Sequence, residues 1–310
     1  MSFHVLHLLE PGIHLRKNRG RLEGQFPDGT IKSLPVENIK AIIALSRTLT
    51  MSIQLVGELL DQGTIVLFCN RKYKPSGWLV PLVRTIHPEV HRNQYLAPSK
   101  FKQSIWSRLV RTKFENQNFV LQQLGLGQIV FDFIKNNSEI TYEEEARVAK
   151  TYFRAYFSTN RFHNEKRSEK KKPFAEDTDL NSFLNYGYAV LSSFIHRSAI
   201  IHGLLPVVGV QHRARYNSYP LVYDTMEPFR PVVDLIVAGY LQQTEKEKAD
   251  IRDFVRYLSK AFVEIRFKKS TGSLKFIDVI DFYIRSLQLT FLEMNTDKIW
   301  LPSLRDLKEA

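Results

Sequence analysis

The sequence predicts an α+β chain, with a small β-sandwich-like domain over residues 1–95 followed by a larger all-helical domain over residues 96–310. Three observations predict it. As far as Cys69, short apolar runs alternate with turn residues, the pattern of strands joined by hairpins. From Phe101 onward, apolar residues recur at helical spacing over long segments. Between the two, residues 70–98 carry Pro75, Gly77, Pro81, Pro88 and Pro98, a density of chain breakers that suits a junction near residue 95.

The strand-like runs are Phe3 to Leu9, Ile13 to Lys17, Arg21 to Phe26, Thr30 to Leu34 and Ile39 to Leu45. Pro11-Gly12, Asn18-Arg19-Gly20 and Asp28-Gly29 separate them, and glycine tolerates the positive φ that tight hairpin turns require. Ile53, Val56, Leu59 and Leu60 give Ser52 to Asp61 the spacing of a helix that stops before Gly63, and Thr64 to Cys69 reads as a buried strand. In the second part, Phe101 to Leu124 is a long helix. Thr141 followed by Glu144 is a capping box opening a helix that runs to about Phe157. Residues 160–176 form a charged loop, either a solvated face or a nucleic-acid contact. Asp179 to His202 is a largely apolar helix ended by Gly203 and Pro206. Residues 221–241 form a helix made irregular by Pro228 and Pro231, and two more helices are expected at 247–263 and 274–293.

The net charge of +12 attracts polyanions, nucleic acid first and acidic membrane surfaces second. Lys100, Lys102, Arg108, Arg111 and Lys113, on or beside the first long helix, are the candidate phosphate contacts. With one cysteine, Cys69, in an apolar run, neither a disulfide nor a cysteine zinc site can form within the chain. That usage suits a reducing cytoplasm, and no apolar run approaches the ~20 residues of a membrane span.

Chemistry concentrates in residues 203–234. His212 is followed, across a loop with Arg213 and Arg215, by Asp224 and Glu227. An imidazole and a carboxylate are ligands for a divalent ion, and a third ligand must come from elsewhere in the chain. Taken singly, each group also has a structural reading. Asp224, Glu227 and Arg230 are spaced as an ion-pair ladder on one helix face, and Glu143-Glu144-Glu145 complement a helix dipole. Arg213, Arg215 and Arg230 serve equally as phosphate contacts or as local ion pairs. No Gly-rich phosphate loop, nucleophile elbow or His-Glu-x-x-His helix is present.

The order of motifs separates these readings. Glu145-x-x-x-Ala149-x-x-Tyr152-Phe153 precedes Asn181-x-x-Leu184-x-Tyr186-x-Tyr188, then Gly203-Leu-x-Pro206-x-x-Gly209-x-x-His212, then Tyr223-Asp-x-Met-Glu227-Pro-Phe-Arg230-Pro. In this order the set closely resembles the CRISPR-associated integrase family, which inserts new spacers into CRISPR arrays, over most of the chain. The resemblance implies an N-terminal β domain, a helical catalytic domain and a metal site of Glu145, His212 and Glu227. Two departures stand out: Ala146 where many members have glycine, and Glu227 where many have aspartate. The Tyr152-Phe153 pair fixes the register on Glu145, and Asp224 is left as an assisting residue.

The expected activity is that of a metal-dependent DNA endonuclease and integrase joining the 3′-hydroxyl of incoming DNA by transesterification. The expected cofactor is Mg²⁺ or Mn²⁺, with the nitrogen ligand leaning toward Mn²⁺. The alternatives are a catalytically silent nucleic-acid-binding subunit and a hydrolase of small phosphate esters; the net charge argues against the latter. The resemblance further implies as partners double-stranded and branched DNA (prespacer and CRISPR repeat), a homodimer, and a small ferredoxin-like partner dimer, CRISPR-associated protein two, bridging two such homodimers.

Overall fold

The computed structural model describes residues 4–46, 48–69, 75–81, 87–129, 139–158, 180–212, 218–244, 249–269 and 272–308. Two four-stranded sheets form the N-terminal part. The first contains β1 (His4–Leu8), β5 (Ile39–Ala44), β7 (Ile65–Cys69) and β8 (Pro75–Leu79), in that order. The second runs β4 (Ile31–Pro35), β3 (Arg21–Gln25), β2 (His14–Asn18) and β6 (Thr50–Met51). In the second sheet β2, β3 and β4 meander antiparallel. In the first, β1–β5 and β5–β7 pair parallel, so the chain must cross over between them. The β5-to-β7 crossover carries α1 (Ile53–Asp61), capped by Ser52 Oγ accepting from Leu55 N.

Strand period places the first sheet between two cores. Ile42, Ala44 and Val66 pack with Leu15, Leu22, Leu55 and Leu59 in the N-terminal core. Their neighbours Ala41, Ile43, Ile65 and Leu67 belong to the larger core with the helices. Successive side chains of a strand point to opposite faces, so β7, and β5 from Ala41 to Ala44, are apolar throughout.

The helical part follows the periodicity closely. Its helices are α2 (Pro88–Leu96), α3 (Ser99–Gln123), α4 (Tyr142–Tyr156), α5 (Leu180–Ile201), α6 (Pro220–Met226), α7 (Arg230–Gln243), α8 (Ile251–Glu264) and α9 (Phe276–Glu293). α5 is buried along nearly its whole length and packs against α6, α7 and α9. Gly187 permits its contact with α7, since a Cβ there would lie 2.4 Å from Val233 Cγ1. No strand occurs among the described residues between 140 and 240.

The structure corrects the expectation in three places. The C-terminal part is not wholly helical: β9 (Arg266–Lys269) pairs antiparallel with β10 (Gly272–Lys275) and β11 (Leu307–Lys308). These strands are too short for a period of two to register. The proline-rich stretch 70–98 is not only a connector, because it holds β8 and α2; Pro88 sits in the first turn of α2, where a missing N–H costs nothing. And α3 is no exposed basic face, since its residues are buried or half-buried apart from Ser99, Lys100, Glu115, Gln122 and Gln123. The charged loop 160–176 lies outside the described residues.

Candidate functional site

Glu145 is placed by the cap of α4. Thr141 Oγ1 accepts from Glu144 N at 3.2 Å, and Thr141 N donates to Glu144 Oε2 at 2.8 Å. This capping box consumes the Glu144 carboxylate, while Glu143 is exposed. Glu145 lies on the inward face with Val148, Tyr152 and Tyr156, and its Oε1 accepts from the ammonium of Lys113 on α3.

Glu227 sits where a helix is forced to change. α6 ends at Met226, and Glu227–Phe229 tighten into a 3₁₀ turn because Pro228 has no N–H to continue the ladder. The Pro228 carbonyl accepts instead from Asn116 Nδ2 at 2.8 Å. The turn holds the Glu227 carboxylate, 6% exposed, between two cations: Oε2 lies 2.6 Å from Lys113 Nζ and Oε1 lies 2.8 Å from Arg230 Nε. Oε2 is thus buried directly against the Lys113 ammonium. Burial by itself raises the Glu227 carboxyl, yet Arg230 and Lys113 outweigh it and hold the group below the usual carboxylate range. For Lys113, burial works to lower the ammonium, and the two carboxylates hold it above its ordinary value. The guanidinium of Arg230 also lies 4.9 Å from the centre of the Tyr188 ring, and Tyr188 donates to the buried Asp234.

His212 belongs to a loop wrapped around Asp224. Asp224 is fully buried, and its Oδ2 accepts from Val210 N at 2.6 Å and from Gln211 N at 3.0 Å. Its Oδ1 accepts from His212 N at 3.1 Å and lies 2.6 Å from His212 Nδ1. The wrapping needs Gly209: a Cβ there would stand 2.4 Å from His212 O and 2.9 Å from Asp224 Oδ2. With Nδ1–H given to the carboxylate, Nε2 keeps its lone pair, the arrangement in which carboxylate-bound histidines ligate metals. The hydrogen bond to Asp224, aided by the charges of Asp224 and Glu227, raises the imidazole above its ordinary value. The Trp106 ring on α3 packs edge-on against it, with centroids 5.8 Å apart.

The structure thus brings Glu145 and Glu227 together, on one ammonium, and sets His212 within electrostatic reach of Glu227. It does not gather three metal-type side chains into a ready cage: among the described residues there is no such cluster. Asp224 supports the histidine, with its own oxygens occupied by three backbone N–H groups. Arg213 and Arg215 lie outside the described residues. Lys113, read from sequence as a phosphate contact, is buried inside the site and cannot track a duplex, and Arg108 pairs with Asp297 at 2.9 Å. The signal for Lys113 is its position, a lone lysine on the stripe Trp106, Val110, Lys113, Gln117, all buried.

The family model described as CRISPR associated protein Cas1 matches residues 6–269. A CRISPR-associated endonuclease Cas1 from Neisseria meningitidis serogroup C (strain 8013) is 27% identical over 97% of either chain. A casposase solved bound to its integration product superposes with a TM-score of 0.78 at 20% identity, covering 94% of this chain and 92% of that one. A chain from a Cas6-RT-Cas1–Cas2 complex gives a TM-score of 0.74 at 16% identity, with 98% of this chain and 36% of that chain covered. The two structural likenesses show the fold; the family match, spanning nearly all of the two N-terminal sheets and the site from Lys113 to Arg230, shows that this chain belongs to the CRISPR-associated Cas1 family.

Proposed function

We propose that the chain is a divalent-metal-dependent DNA endonuclease and integrase of CRISPR adaptation, inserting new spacer DNA into the array by 3′-hydroxyl transesterification. One observation carries the reading: two carboxylates from separate elements converge on a single buried cation, beside a histidine fixed through Nδ1. The endonuclease name of the Neisseria relative and the integration product bound to the casposase support it.

Glu145, Glu227 and His212 fit a hard or borderline divalent ion, Mg²⁺ or Mn²⁺. The donor set is two carboxylates and one imidazole, and the buried Glu227 carboxyl is held below the usual carboxylate range by Arg230 and Lys113, so it stands ready as an anionic oxygen ligand. Such an ion, when bound, supplies Lewis-acid polarisation of a phosphodiester. The chain's own residues do the rest. Asp224 fixes the tautomer and ring plane of His212, so Nε2 is presented in one direction. Arg230 holds Glu227 through Oε1, while Lys113 meets Oε2, and Tyr188 under the guanidinium restricts where that charge moves.

DNA is the proposed substrate, both prespacer and repeat. A homodimer, and a complex of two such homodimers with a small partner dimer, are the proposed assemblies; the Cas1–Cas2 complex among the similar structures supports the second partner. We retain a division into residues 1–95 and 96–310, and a cytoplasmic location; no described helix is long and apolar enough to cross a membrane.

The test is strand joining. A short duplex with free 3′-hydroxyls is offered to a plasmid carrying a repeat, with the partner dimer present and Mg²⁺, Mn²⁺ or a chelator added. Joined product only with a divalent ion is expected. DNA binding without cleavage or joining under any ion would instead identify a silent binding subunit.

A further inference from the structure

Lys113 stands out from the other cations of the chain. It is 5% exposed, yet its ammonium meets two carboxylates from different parts of the sequence, Glu145 on α4 and Glu227 in the 3₁₀ turn after α6. Its backbone is fixed: three residues on, Asn116 donates to Pro228 O at 2.8 Å and Pro302 O at 3.0 Å and accepts from Leu304 N at 2.9 Å. Two turns before, Trp106 packs on His212. Only the flexible four-carbon stem of the lysine is left to move.

We propose that Lys113 is the resident counter-cation of the metal site. Its ammonium holds Glu145 and Glu227 together when no divalent ion is present, and ammonium and ion exclude one another. The inference rests on the metal reading above. Its ground is steric and electrostatic. An ion shared by both carboxylates would compete for the oxygens that Lys113 Nζ now touches. Two cations cannot share that space, and their repulsion inside a buried site is poorly screened. Arg230 is not in the same position, because its contact with Glu227 is to the other oxygen, Oε1. The exchange gives the buried carboxylates a partner in both states, so neither is stranded without charge compensation. It also explains why no three-ligand cage is preformed among the described residues: the cage closes only after the lysine leaves.

If the lysine-out arrangement holds roughly 1–10% of the metal-free population, removing the competitor tightens metal binding about 10–100-fold. The experiment measures Mn²⁺ binding at pH 8 by titration calorimetry for the full chain and for Lys113→Met, without DNA. The expected result is Mn²⁺ affinity at least about tenfold tighter in the variant, with a larger Mn²⁺-induced rise in melting temperature. A second measurement uses the unaltered protein. Acylation of Lys113 by an amine-reactive reagent, followed by mass spectrometry, should rise severalfold when Mn²⁺ is added, because the displaced ammonium leaves its carboxylates. Mn²⁺ affinity unchanged or weakened in Lys113→Met, or acylation that does not rise, overturns the exchange. Failure of the unaltered chain to bind Mn²⁺ at all overturns the metal reading itself, a different outcome from binding that Lys113 does not oppose.

Discussion

Asp224 and His212 face each other at 2.6 Å, Oδ1 to Nδ1, with the carboxylate enclosed by the backbone of the segment that carries the histidine. The loop and the ring are therefore oriented by one group. Asp224→Asn keeps the size of the side chain but puts an amide donor among backbone donors. Strand joining is expected to fall roughly 10–100-fold, as for other partners of metal-ligating histidines, and stability to fall by about 1–3 kcal/mol. DNA affinity should change little. Joining at the unaltered rate would show that the histidine needs no such support.

Gly209 tests the same enclosure from outside the charged groups. In Gly209→Ala the methyl would meet His212 O at 2.4 Å, Pro220 Cβ at 2.8 Å and Asp224 Oδ2 at 2.9 Å. Two of these neighbours are a backbone oxygen and a held carboxylate, which yield only if the loop shifts. A loss of about 1–3 kcal/mol in urea unfolding is expected, with strand joining reduced as well. An unchanged unfolding midpoint would contradict the close packing.

His196 gives a pH-dependent prediction away from the site. Burial lowers its imidazole from 6.5 to about 4; Nδ1 has no hydrogen bond, and the ring packs on Trp78 and Tyr219. Between these values the unfolded chain binds a proton that the folded chain refuses, so stability is full above pH 6.5 and falls as pH drops toward 4. The total is about 3 kcal/mol at 1.36 kcal/mol per unit. His7, lowered by burial to about 3, acts in the same direction. Unfolding followed from pH 7.5 to 4.5 should show a shallower decline in His196→Leu than in the unaltered chain; parallel curves would remove the histidine from the account.

Salt dependence separates buried from exposed charge. For a chain of net charge +12 engaging several phosphates, the logarithm of DNA affinity should fall against the logarithm of salt with a slope of about −4 or steeper. Replacing both Lys100 and Lys102, at the accessible start of α3, should flatten it by about one to two units. Lys113→Met should leave the slope unchanged, because that ammonium faces carboxylates and not solvent. A slope flattened by Lys113→Met would place this lysine on the DNA path.

Much of this was legible before the fold was known, where a local rule and the tertiary need agreed. The Thr141–Glu144 box opens α4 where the spacing puts it, and the irregularity at Pro228 is the 3₁₀ turn that presents Glu227. Short elements were not legible: β8 hides among prolines and glycine, and β9 and β10 have four residues each, too few for a period. Lys113 was misread for a physical reason. Lysines are seldom buried, so one on a basic-looking helix suggests solvent or phosphate. Its burial depends on two carboxylates 32 and 114 residues away in the chain, which no local pattern reports.

The central claim is that Glu145, His212 and Glu227 together hold one divalent ion. Anomalous diffraction from a Mn²⁺-soaked crystal tests it most directly. The account predicts one strong peak at bonding distance, about 2.0–2.6 Å, from a carboxylate oxygen of Glu145, Nε2 of His212 and a carboxylate oxygen of Glu227, with the Lys113 ammonium displaced. A fully soaked crystal with no peak there, and with Lys113 still paired to both glutamates, would contradict it.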